Sequence, residues 1–278
     1  MGLWSPRVVR PLEIGIGLKL VAPSARGKWL RRALDGAGPT YVKIGQFISN
    51  RPDIFGKEFS AELAPLRDNV TPFDFEIVRD KVPEGITNVD PKPIASASIA
   101  QVHLARLRTG EDVVVKVQRP QVAALVHQDL KALAYLAPHL VGRIPIAALA
   151  NPPALVELFA DTIVEELDFR LEAANMIDVA KVLKDLDQRG YIVPRPHPSL
   201  VTKRVLVMER LSGFNFDDVA GMKDAGIDTE DVIRTGMIAF MEGALIHGIF
   251  HGDLHGGNLF VMRDGRTALL DFGIRCVI

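Results

Sequence analysis

Two short polar motifs near the carboxyl end constrain this chain more than any other feature. Residues 251–258 read HGDLHGGN, and residues 271–273 read DFG. They supply two carboxylates and an amide, with Asp253 and Asn258 five residues apart and Asp271 at the start of the second motif. Amide and carboxylate oxygens are ligands that Mg²⁺ accepts, and a further carboxylate can orient a hydroxyl proton. The set therefore suits phosphoryl-transfer chemistry.

The order of the two motifs, and the spacing from Asp253 to Asn258, match the H-R-D-x-x-x-x-N catalytic loop and the D-F-G of kinases. In that arrangement Asp253 is the catalytic carboxylate, while Asn258 and Asp271 hold Mg²⁺ on the phosphates of ATP or ADP. The first motif alone could be a turn, and the second alone could occur by chance. Both motifs in this order, at a workable spacing, are far more specific.

Composition and charge narrow the classes of protein to which this chain can belong. The chain has 278 residues, of which 48% are hydrophobic and 24% are charged, so it is globular and can hold one large domain or two small ones. A net charge of −1 gives no case for nucleic-acid binding. The single Cys276 excludes an internal disulfide and fits a reducing compartment. Since no stretch reads as a clean membrane span, we expect a cytoplasmic protein that can lie peripheral to a membrane.

The amino-terminal arm is basic. Residues 1–34 carry seven Lys or Arg side chains against one acid, Glu13, with apolar residues interspersed. An anionic membrane surface could hold such an arm. A solvated helix that packs on the domain, or a transit peptide, would have a similar composition.

The first 90 residues read as helical. Pro39 is placed to begin a helix, and the apolar residues at 41, 44, 47 and 48 form one face of that helix. Lys43 and Gln46 are three residues apart and share a neighbouring face.

A change of pattern at Pro91 predicts a pair of strands joined by a turn at residues 110–112. Lys116 lies within the apolar run 113–117, and kinases place at this point a lysine that meets the α- and β-phosphates. A lysine that snorkels from an edge strand is the alternative.

The stretch before these strands is rich in alanine and serine, where kinases have glycine. It contains Ala95, Ser96, Ala97 and Ser98. Alanine and serine permit a close approach but restrict the positive φ angles that glycine allows. We therefore expect nucleotide contacts that differ from those of an ordinary protein kinase.

One long helix is predicted from about Ala154 to Leu186. Within it, Glu172 is the candidate partner of Lys116, like the helix-C glutamate that pairs with the phosphate-binding lysine of kinases. The preceding acids Glu165, Glu166 and Asp168 could instead form a solvated face.

The remaining pattern predicts a small sheet and the elements around the two polar motifs. Residues 191–193 and 204–208 read as strands that close this sheet, and Glu209 follows where a kinase hinge meets adenine. Asp228 is placed to cap a helix over residues 229–247. Asp264 and Gly265 turn a hairpin between residues 258–262 and 267–270.

These motifs together resemble the UbiB-type atypical kinases, the AarF family linked to quinone biosynthesis. The resemblance covers about Gly38 to Gly273. Its distinguishing parts are Lys43-Ile44-Gly45-Gln46 (K-x-G-Q), the alanine-rich loop from Ala95 to Ala100, and Glu166-Leu167-Asp168 (E-x-D). Lys116, Glu172 and the two carboxyl-end motifs are the parts shared with other kinases.

The resemblance implies an α+β, protein-kinase-like fold in three parts. These are an N-terminal helical extension over residues 1–90, a kinase-like N-lobe with an antiparallel sheet and inserted helices over 91–213, and a C-lobe over 214–278 that is truncated after the D-F-G. Because only five residues follow Gly273, we expect Ile238, Met241 and Leu245 to face water.

The resemblance also implies roles for individual residues. The extension lies over the cleft, so that Lys43 and Gln46 act as regulatory residues facing Glu166 and Asp168. The nucleotide contacts come from residues 95–98, Lys116 and Glu209.

The function implied is that of an atypical kinase or ATPase that binds ATP or ADP with Mg²⁺. It would support isoprenoid-quinone biosynthesis, of the ubiquinone or menaquinone type, or lipid homeostasis. The expected partners are a nucleotide and a membrane surface or quinone-biosynthesis proteins, but no nucleic acid. Two alternatives stay open. One is a truncated, non-catalytic nucleotide-binding protein. The other is a small-molecule phosphotransferase of the aminoglycoside or choline kinase type, which the K-x-G-Q and E-x-D motifs disfavour.

Overall fold

The computed structural model describes residues 6–67, 71–141, 151–247, 249–251, 256–272 and 275–277. Two compact units alternate along the chain: Met1–Asp74, Ile94–Gln101 and Gln118–Val164 form the first, and Phe75–Pro93, Val102–Val117 and Glu165–Ile278 form the second. The mixture of helices and antiparallel sheet confirms the predicted α+β class. The predicted division at residues 90 and 213 stays a prediction.

Helices build most of the first unit. They are α1 (Pro6–Leu20), α2 (Arg26–Ala37), α3 (Pro39–Ser49), α4 (Pro52–Phe55) and α5 (Lys57–Leu63); α6 (Phe75–Arg79) opens the second unit, and α7 (Val122–Leu140) returns to the first. Pro39 occupies the start of α3, as predicted. A hydrophobic core cluster of the first unit consists of Leu30, Leu34, Ala37, Tyr41, Val42, Leu63 and Leu66.

Helix α3 packs closely on its neighbours at the glycine of the K-x-G-Q motif. Gly45 is buried, and a Cβ atom built there would lie 2.2 Å from Leu66 Cδ1 and 3.1 Å from Leu34 Cδ1. At its other end, α3 is tied to α7, since the buried Thr40 hydroxyl donates to Asp129 Oδ2 at 2.6 Å. Close packing around α3 therefore explains why the K-x-G-Q motif has a glycine, rather than a larger residue, at position 45.

A small sheet contains the strands predicted around Lys116. Its members are β1 (Ile86–Thr87), β2 (Ala95–Ser96), β3 (Ala100–Leu107), β4 (Asp112–Gln118) and β6 (Val205–Glu209). The order is β1-β3-β4-β6, and β2 also pairs with β3. Strand β5 (Tyr191–Ile192) belongs to a second sheet. Strand β1 lies in the region predicted to be helical, so that part of the helical prediction is wrong.

A second sheet has the order β5-β10-β9-β7. Its strands are β5 (Tyr191–Ile192), β7 (Gly213–Asn215), β9 (Leu259–Met262) and β10 (Thr267–Leu269). The predicted hairpin at Gly265 is confirmed, because β9 and β10 are antiparallel and Gly265 has a φ of +83°. A separate antiparallel pair joins β8 (Ile249–His251) to β11 (Arg275–Val277).

The prediction that residues 191–193 close the small sheet is wrong. Strand β5 instead pairs in parallel with β10, with Tyr191 opposite Thr267. The Thr267 N–H also donates to the Gly190 carbonyl at 2.8 Å. An apolar run identifies a strand but not its partner, and this partner lies far along the sequence.

The predicted helix from 154 to 186 is in fact two helices, α8 (Pro152–Glu166) and α9 (Phe169–Asp185). The break falls at Leu167 and Asp168, where Asp168 adopts an extended backbone with φ −128° and ψ 94°. An extended residue cannot continue the helical hydrogen bonding, so a new helix begins after it.

The last helices are α10 (Val219–Asp224) and α11 (Thr229–Glu242), which continues as a π-helical turn over Gly243–His247. Asp228 caps α11 as predicted, because its Oδ1 accepts the N–H groups of Glu230 and Asp231. The prediction that Ile238, Met241 and Leu245 face water is confirmed by their exposures of 48%, 46% and 75%.

Across the described ranges, the structure contains no helix that combines the length and the apolar composition needed to cross a bilayer.

The close packing of α3 can be tested by adding one methyl group. We expect Gly45→Ala to lower the free energy of unfolding by about 1–3 kcal/mol, because Leu66 must shift within a packed core. Gly15→Ala is the control: it lies on α1 with nothing within 4 Å of the new Cβ, so it should raise stability by about 0.5–1 kcal/mol. Urea unfolding measures both. A stabilising Gly45→Ala would contradict the described packing.

Candidate functional site

A buried ion pair forms the centre of the candidate site in the second unit. Lys116 lies on β4, and Glu172 lies in the first turn of α9. The Lys116 Nζ atom donates to both Glu172 oxygens, at 2.7 Å to Oε1 and 3.0 Å to Oε2. Only 12% of the Lys116 side chain and 5% of the Glu172 side chain are exposed. The structure therefore brings together the two residues that the sequence predicts as partners.

The position of Lys116 in the sheet excludes the alternative of an edge lysine. Strand β4 lies between β3 and β6, and Lys116 is in register with Leu206. The ammonium group also lies 5.4 Å from the centre of the buried Phe169 ring, where a cation is attracted to an aromatic face. Phe169 is a contact that sequence reasoning missed, although it lies three residues before Glu172 and so on a nearby helix face.

Neighbouring charges keep Lys116 protonated. Burial lowers the pKa of the Lys116 ammonium, but the carboxylates of Asp271 and Glu172 outweigh burial and leave the pKa above its ordinary value. Burial raises the pKa of Glu172, and the Lys116 charge offsets only part of that effect. Lys116 is therefore a cation at neutral pH.

Asp271 of the D-F-G lies beside this pair. Its Oδ1 atom is 3.7 Å from Lys116 Nζ, and 46% of its side chain is exposed. The next residue, Phe272, is buried, and its carbonyl accepts a 2.9 Å hydrogen bond from the Asn175 side-chain amide. Asn175 was missed by sequence reasoning, although its position three residues after Glu172 is the signal that could identify it. One face of α9 therefore holds both the lysine and the D-F-G backbone.

Backbone contacts align Asn258 with the residues before Asp271. Asn258 ends a 3₁₀ turn over Gly256–Asn258, and its carbonyl accepts a 3.0 Å hydrogen bond from the Leu270 N–H. The pairing continues with Leu259 of β9 opposite Leu269 of β10. Asn258 and Asp271 thus come to the same end of the β9–β10 hairpin.

The Asp271 carboxylate and the Asn258 amide offer oxygen ligands at this end of the hairpin. Such ligands suit Mg²⁺, which binds carboxylate and amide oxygens and keeps several of its waters. Asp271 is exposed enough for water to complete such a shell. Within the described residues, no group of three or more His, Cys, Asp or Glu side chains is arranged to hold a metal. Asp253, the predicted catalytic carboxylate, lies outside the described residues.

Asp168 of the E-x-D motif begins the helix that carries Glu172. Its Oδ1 accepts the Arg170 N–H at 3.2 Å, and the Arg170 side chain donates to Oδ1 at 2.9 Å and to Oδ2 at 2.6 Å. The hydrogen bonds from the Arg170 side chain lower the pKa of Asp168. Asp168 is therefore the N-cap of α9 and fixes the residue at which this helix begins.

The acidic residues before this cap do not behave alike. Glu165 is exposed and fits the alternative of a solvated face. Glu166 is half-buried, and after Asp271 and Glu172 it is the third carboxylate that raises the pKa of Lys116. Only 17% of the Asp168 side chain is exposed. Glu166 therefore belongs to the electrostatic surroundings of the ion pair, whereas Asp168 caps the helix that carries Glu172.

The alanine-rich loop belongs to the first unit. Ala95 and Ser96 form β2, and the Ala97 N–H donates to the Ala100 carbonyl at 2.8 Å. Ala95 and Ala97 are exposed, whereas Ser98 is buried, and its hydroxyl has no hydrogen-bond partner within the described ranges. Among the four loop residues predicted to contact the nucleotide, Ser98 is thus the one whose side chain is turned into the protein.

Three further predicted residues have defined places but untested roles. Lys43 and Gln46 lie on α3 in the first unit, where the Gln46 amide donates to the Leu66 carbonyl at 3.0 Å. Their approach to the E-x-D motif stays a prediction. Glu209 ends β6 and accepts a 3.3 Å hydrogen bond from the Arg195 N–H, and its contact with adenine also stays a prediction.

Comparison with known proteins gives consistent matches. A family model described as the ABC1 atypical kinase-like domain matches residues 72–278. The chloroplastic protein ACTIVITY OF BC1 COMPLEX KINASE 1 of Arabidopsis thaliana is 39% identical over 257 residues, which cover 89% of this chain and 37% of that protein. The probable protein kinase UbiB of Vibrio parahaemolyticus is 34% identical over 261 residues, which cover 91% of this chain and 48% of that protein.

A solved structure also resembles this chain. It is a Mycobacterium tuberculosis protein in complex with erythromycin, with a TM-score of 0.56 and 28% sequence identity. The match covers 81% of this chain and 57% of that protein. The chain therefore spans about half or less of the length of the two curated relatives and somewhat more than half of the solved one.

Two substitutions of Asp168 test its role as a helix cap. Asp168→Ala removes the cap acceptors and should lower the free energy of unfolding by about 1 kcal/mol. Asp168→Asn keeps an acceptor and should lower it by only roughly a few tenths of 1 kcal/mol. Urea unfolding at neutral pH measures the difference. Equal losses in the two variants would argue against the cap.

The same variants carry a pH signature. Because Arg170 holds the folded-state pKa of Asp168 below its unfolded value, the carboxylate stabilises the fold above the unfolded value, about pH 4. This contribution is lost as the pH falls through the folded pKa. Wild type should therefore lose more stability than Asp168→Asn between about pH 5 and pH 3.

Proposed function

The chain belongs to the ABC1 atypical kinase-like family, and from that premise we propose that it binds ATP or ADP with Mg²⁺ as an atypical kinase or ATPase. The observation that carries the proposal is the buried Lys116–Glu172 pair with the Asp271 carboxylate 3.7 Å from the lysine. Active kinases require the same lysine–glutamate pair together with the D-F-G aspartate.

Each residue has one task in this proposal. Lys116 binds the α- and β-phosphates as a cation, and Glu172 keeps its side chain in place. Asn258 and Asp271 would hold Mg²⁺, which neutralises charge on the phosphates when bound. Asp253 would orient the attacking hydroxyl or water. Catalysis would then come mainly from positioning and from charge neutralisation.

We also propose that this activity supports isoprenoid-quinone biosynthesis, of the ubiquinone or menaquinone type, or lipid homeostasis. Two observations favour this role. A relative at 34% identity is named probable protein kinase UbiB. The K-x-G-Q residues Lys43 and Gln46 and the E-x-D residues Glu166 and Asp168 resemble the motifs of the quinone-linked family.

The outer face of α1 favours an anionic membrane surface as a partner. Leu12, Ile16 and Leu20 recur every four residues and are 43%, 61% and 83% exposed. On the other side of the helix, Ile14 and Leu18 pack against the core of the first unit. Because residues 1–34 are strongly basic, this exposed apolar stripe suits a surface of anionic headgroups.

A small-molecule phosphotransferase is the second candidate. The observation that favours it is the structural relative from Mycobacterium tuberculosis, which was solved in complex with erythromycin. The K-x-G-Q and E-x-D motifs speak against it. ATP consumption that rises with a soluble macrolide or amino alcohol, and not with lipid vesicles, would favour this candidate over the first.

Mg²⁺-dependent stabilisation by nucleotide tests the main proposal. Mg-ATP or Mg-ADP at about 100 times its Kd should add about 2.7 kcal/mol to the free energy of unfolding. Asp271→Asn should lose most of the part that requires Mg²⁺, because it removes a carboxylate ligand while both residues of the hydrogen-bonded Lys116–Glu172 pair are kept. Asp264→Asn, an exposed position on the neighbouring hairpin turn, is the matched control. Thermal unfolding of each variant with and without ligand measures how much stability the ligand adds to that variant.

A wild-type protein that gains no stability from either nucleotide would rule out the proposed function. Lys116→Ala is less informative for this purpose, since it leaves the buried Glu172 without its partner and costs about 3–5 kcal/mol by itself. ATP hydrolysis, measured with and without anionic vesicles, separates an ATPase from a non-catalytic nucleotide-binding protein.

Vesicle binding tests the membrane surface on α1. The triple substitution Leu12→Ser, Ile16→Ser and Leu20→Ser should weaken binding to phosphatidylserine-containing vesicles at least about tenfold, because three partly inserted side chains lose their apolar contact. Ile233→Ser, which removes an equally exposed apolar residue from α11, should leave binding unchanged. Co-sedimentation measures both. Equal binding to neutral phosphatidylcholine vesicles would contradict the anionic preference.

A further inference from the structure

Arg119 holds three residues of the alanine-rich loop, Ala95–Ala100. Its Nε donates to the Ala97 carbonyl at 2.9 Å, and its Nη2 donates to the Ser96 hydroxyl at 2.9 Å. Its backbone N–H donates to the Ile99 carbonyl at 2.8 Å. A single residue, placed directly after β4, therefore fixes the loop at three points.

The same guanidinium holds the linker segment, Thr71–Phe73, which leads from the first helices to α6. Its Nη2 also donates to the Thr71 carbonyl at 2.9 Å, and its centre lies 5.5 Å from the Phe73 ring. The buried Gln101 adds a second hold on Phe73, because its Oε1 accepts the Phe73 N–H at 2.9 Å and its Nε2 donates to the Phe73 carbonyl at 3.2 Å.

The chemistry of arginine explains how one side chain reaches both segments. A guanidinium is planar and presents five N–H donors in fixed directions, whereas a lysine has all its donors on one atom. Burial lowers the pKa of Arg119. Among the residues that the structure describes, no carboxylate forms an ion pair with it, so its side-chain hydrogen bonds go to neutral oxygens of the loop and the linker segment.

We infer that Arg119 is a positioning residue that couples the alanine-rich loop to the linker segment, so that neither moves without the other. The inference rests on the proposed function, in which this loop contacts the bound nucleotide. Arg119 then sets the loop conformation that the nucleotide meets.

Hydrogen exchange of Arg119→Lys tests the coupling directly. The substitution keeps the charge but removes the simultaneous hydrogen bonds. Exchange should become about tenfold faster both in residues 94–101 and in residues 71–75, the size expected when a hydrogen bond from a charged donor is lost. Arg106→Lys is the matched control, because Arg106 lies exposed on β3 and pairs with Asp112. Faster exchange in only one of the two segments, or in neither, would overturn the inference.

Phe73→Leu gives a second, milder test if Arg119→Lys fails to fold. It leaves Arg119 and the whole loop unchanged in sequence and removes only the ring under the guanidinium. The coupling predicts faster exchange in residues 94–101, although no residue of the loop has been altered. Unchanged exchange in the loop would count against coupling.

Nucleotide affinity separates a positioning role from a purely structural one. Arg119→Lys should bind Mg-ATP about tenfold more weakly than the Arg106→Lys control, at a similar melting temperature. An unchanged Kd, together with faster exchange, would reduce Arg119 to a structural residue and overturn its positioning role. If the wild type binds no nucleotide, the proposed function fails, whereas the exchange experiment still decides whether the two segments are coupled.

Discussion

The ion pair of Lys116 and Glu172 is the interaction on which the candidate site depends. Both side chains are almost fully buried, so either charge alone would be strongly destabilising, and the pair requires its two elements in fixed positions. Strand β4 supplies one position because it is flanked on both sides within the sheet. Helix α9 supplies the other and also holds Phe272 of the D-F-G through Asn175. The position of the D-F-G therefore follows from the same helix that fixes the lysine.

The charges around this pair bear on how the proposed nucleotide would bind. Among the described residues, the single cation Lys116 is influenced by three carboxylates, those of Asp271, Glu172 and Glu166. A nucleotide that arrives alone would bring further negative charge to a group of carboxylates. A divalent cation bound with it changes that balance, since bound cations are often the largest local charges in such sites.

The sequence predicted the parts of this site that depend on residue type and local spacing. These include Lys116 in an apolar strand, Asp228 at a helix start and the hairpin at Gly265. The pairing of β5 with β10 was not predictable in this way, because strand partners are chosen by packing across long stretches of chain. The break before α9 was missed because helix-favouring residues flank it on both sides and Asp168 also fits a solvated helix face. Asn175 and Arg119 act through backbone carbonyls of distant residues, which no local pattern records.

The break between α8 and α9 has a consequence for rotation about the helix axis. Each residue of an α-helix turns the chain by about 100°, so a helix that began one residue later would direct Glu172 away from Lys116. If α8 and α9 were one continuous helix, the direction of Glu172 around the helix axis would depend on the number of residues in α8. Because α9 begins at its own cap, Asp168, the direction of Glu172 depends only on its position four residues after that cap. Insertions or deletions within α8 would thus leave the direction of Glu172 unchanged, whereas a single one between Asp168 and Glu172 would turn that direction by about 100°.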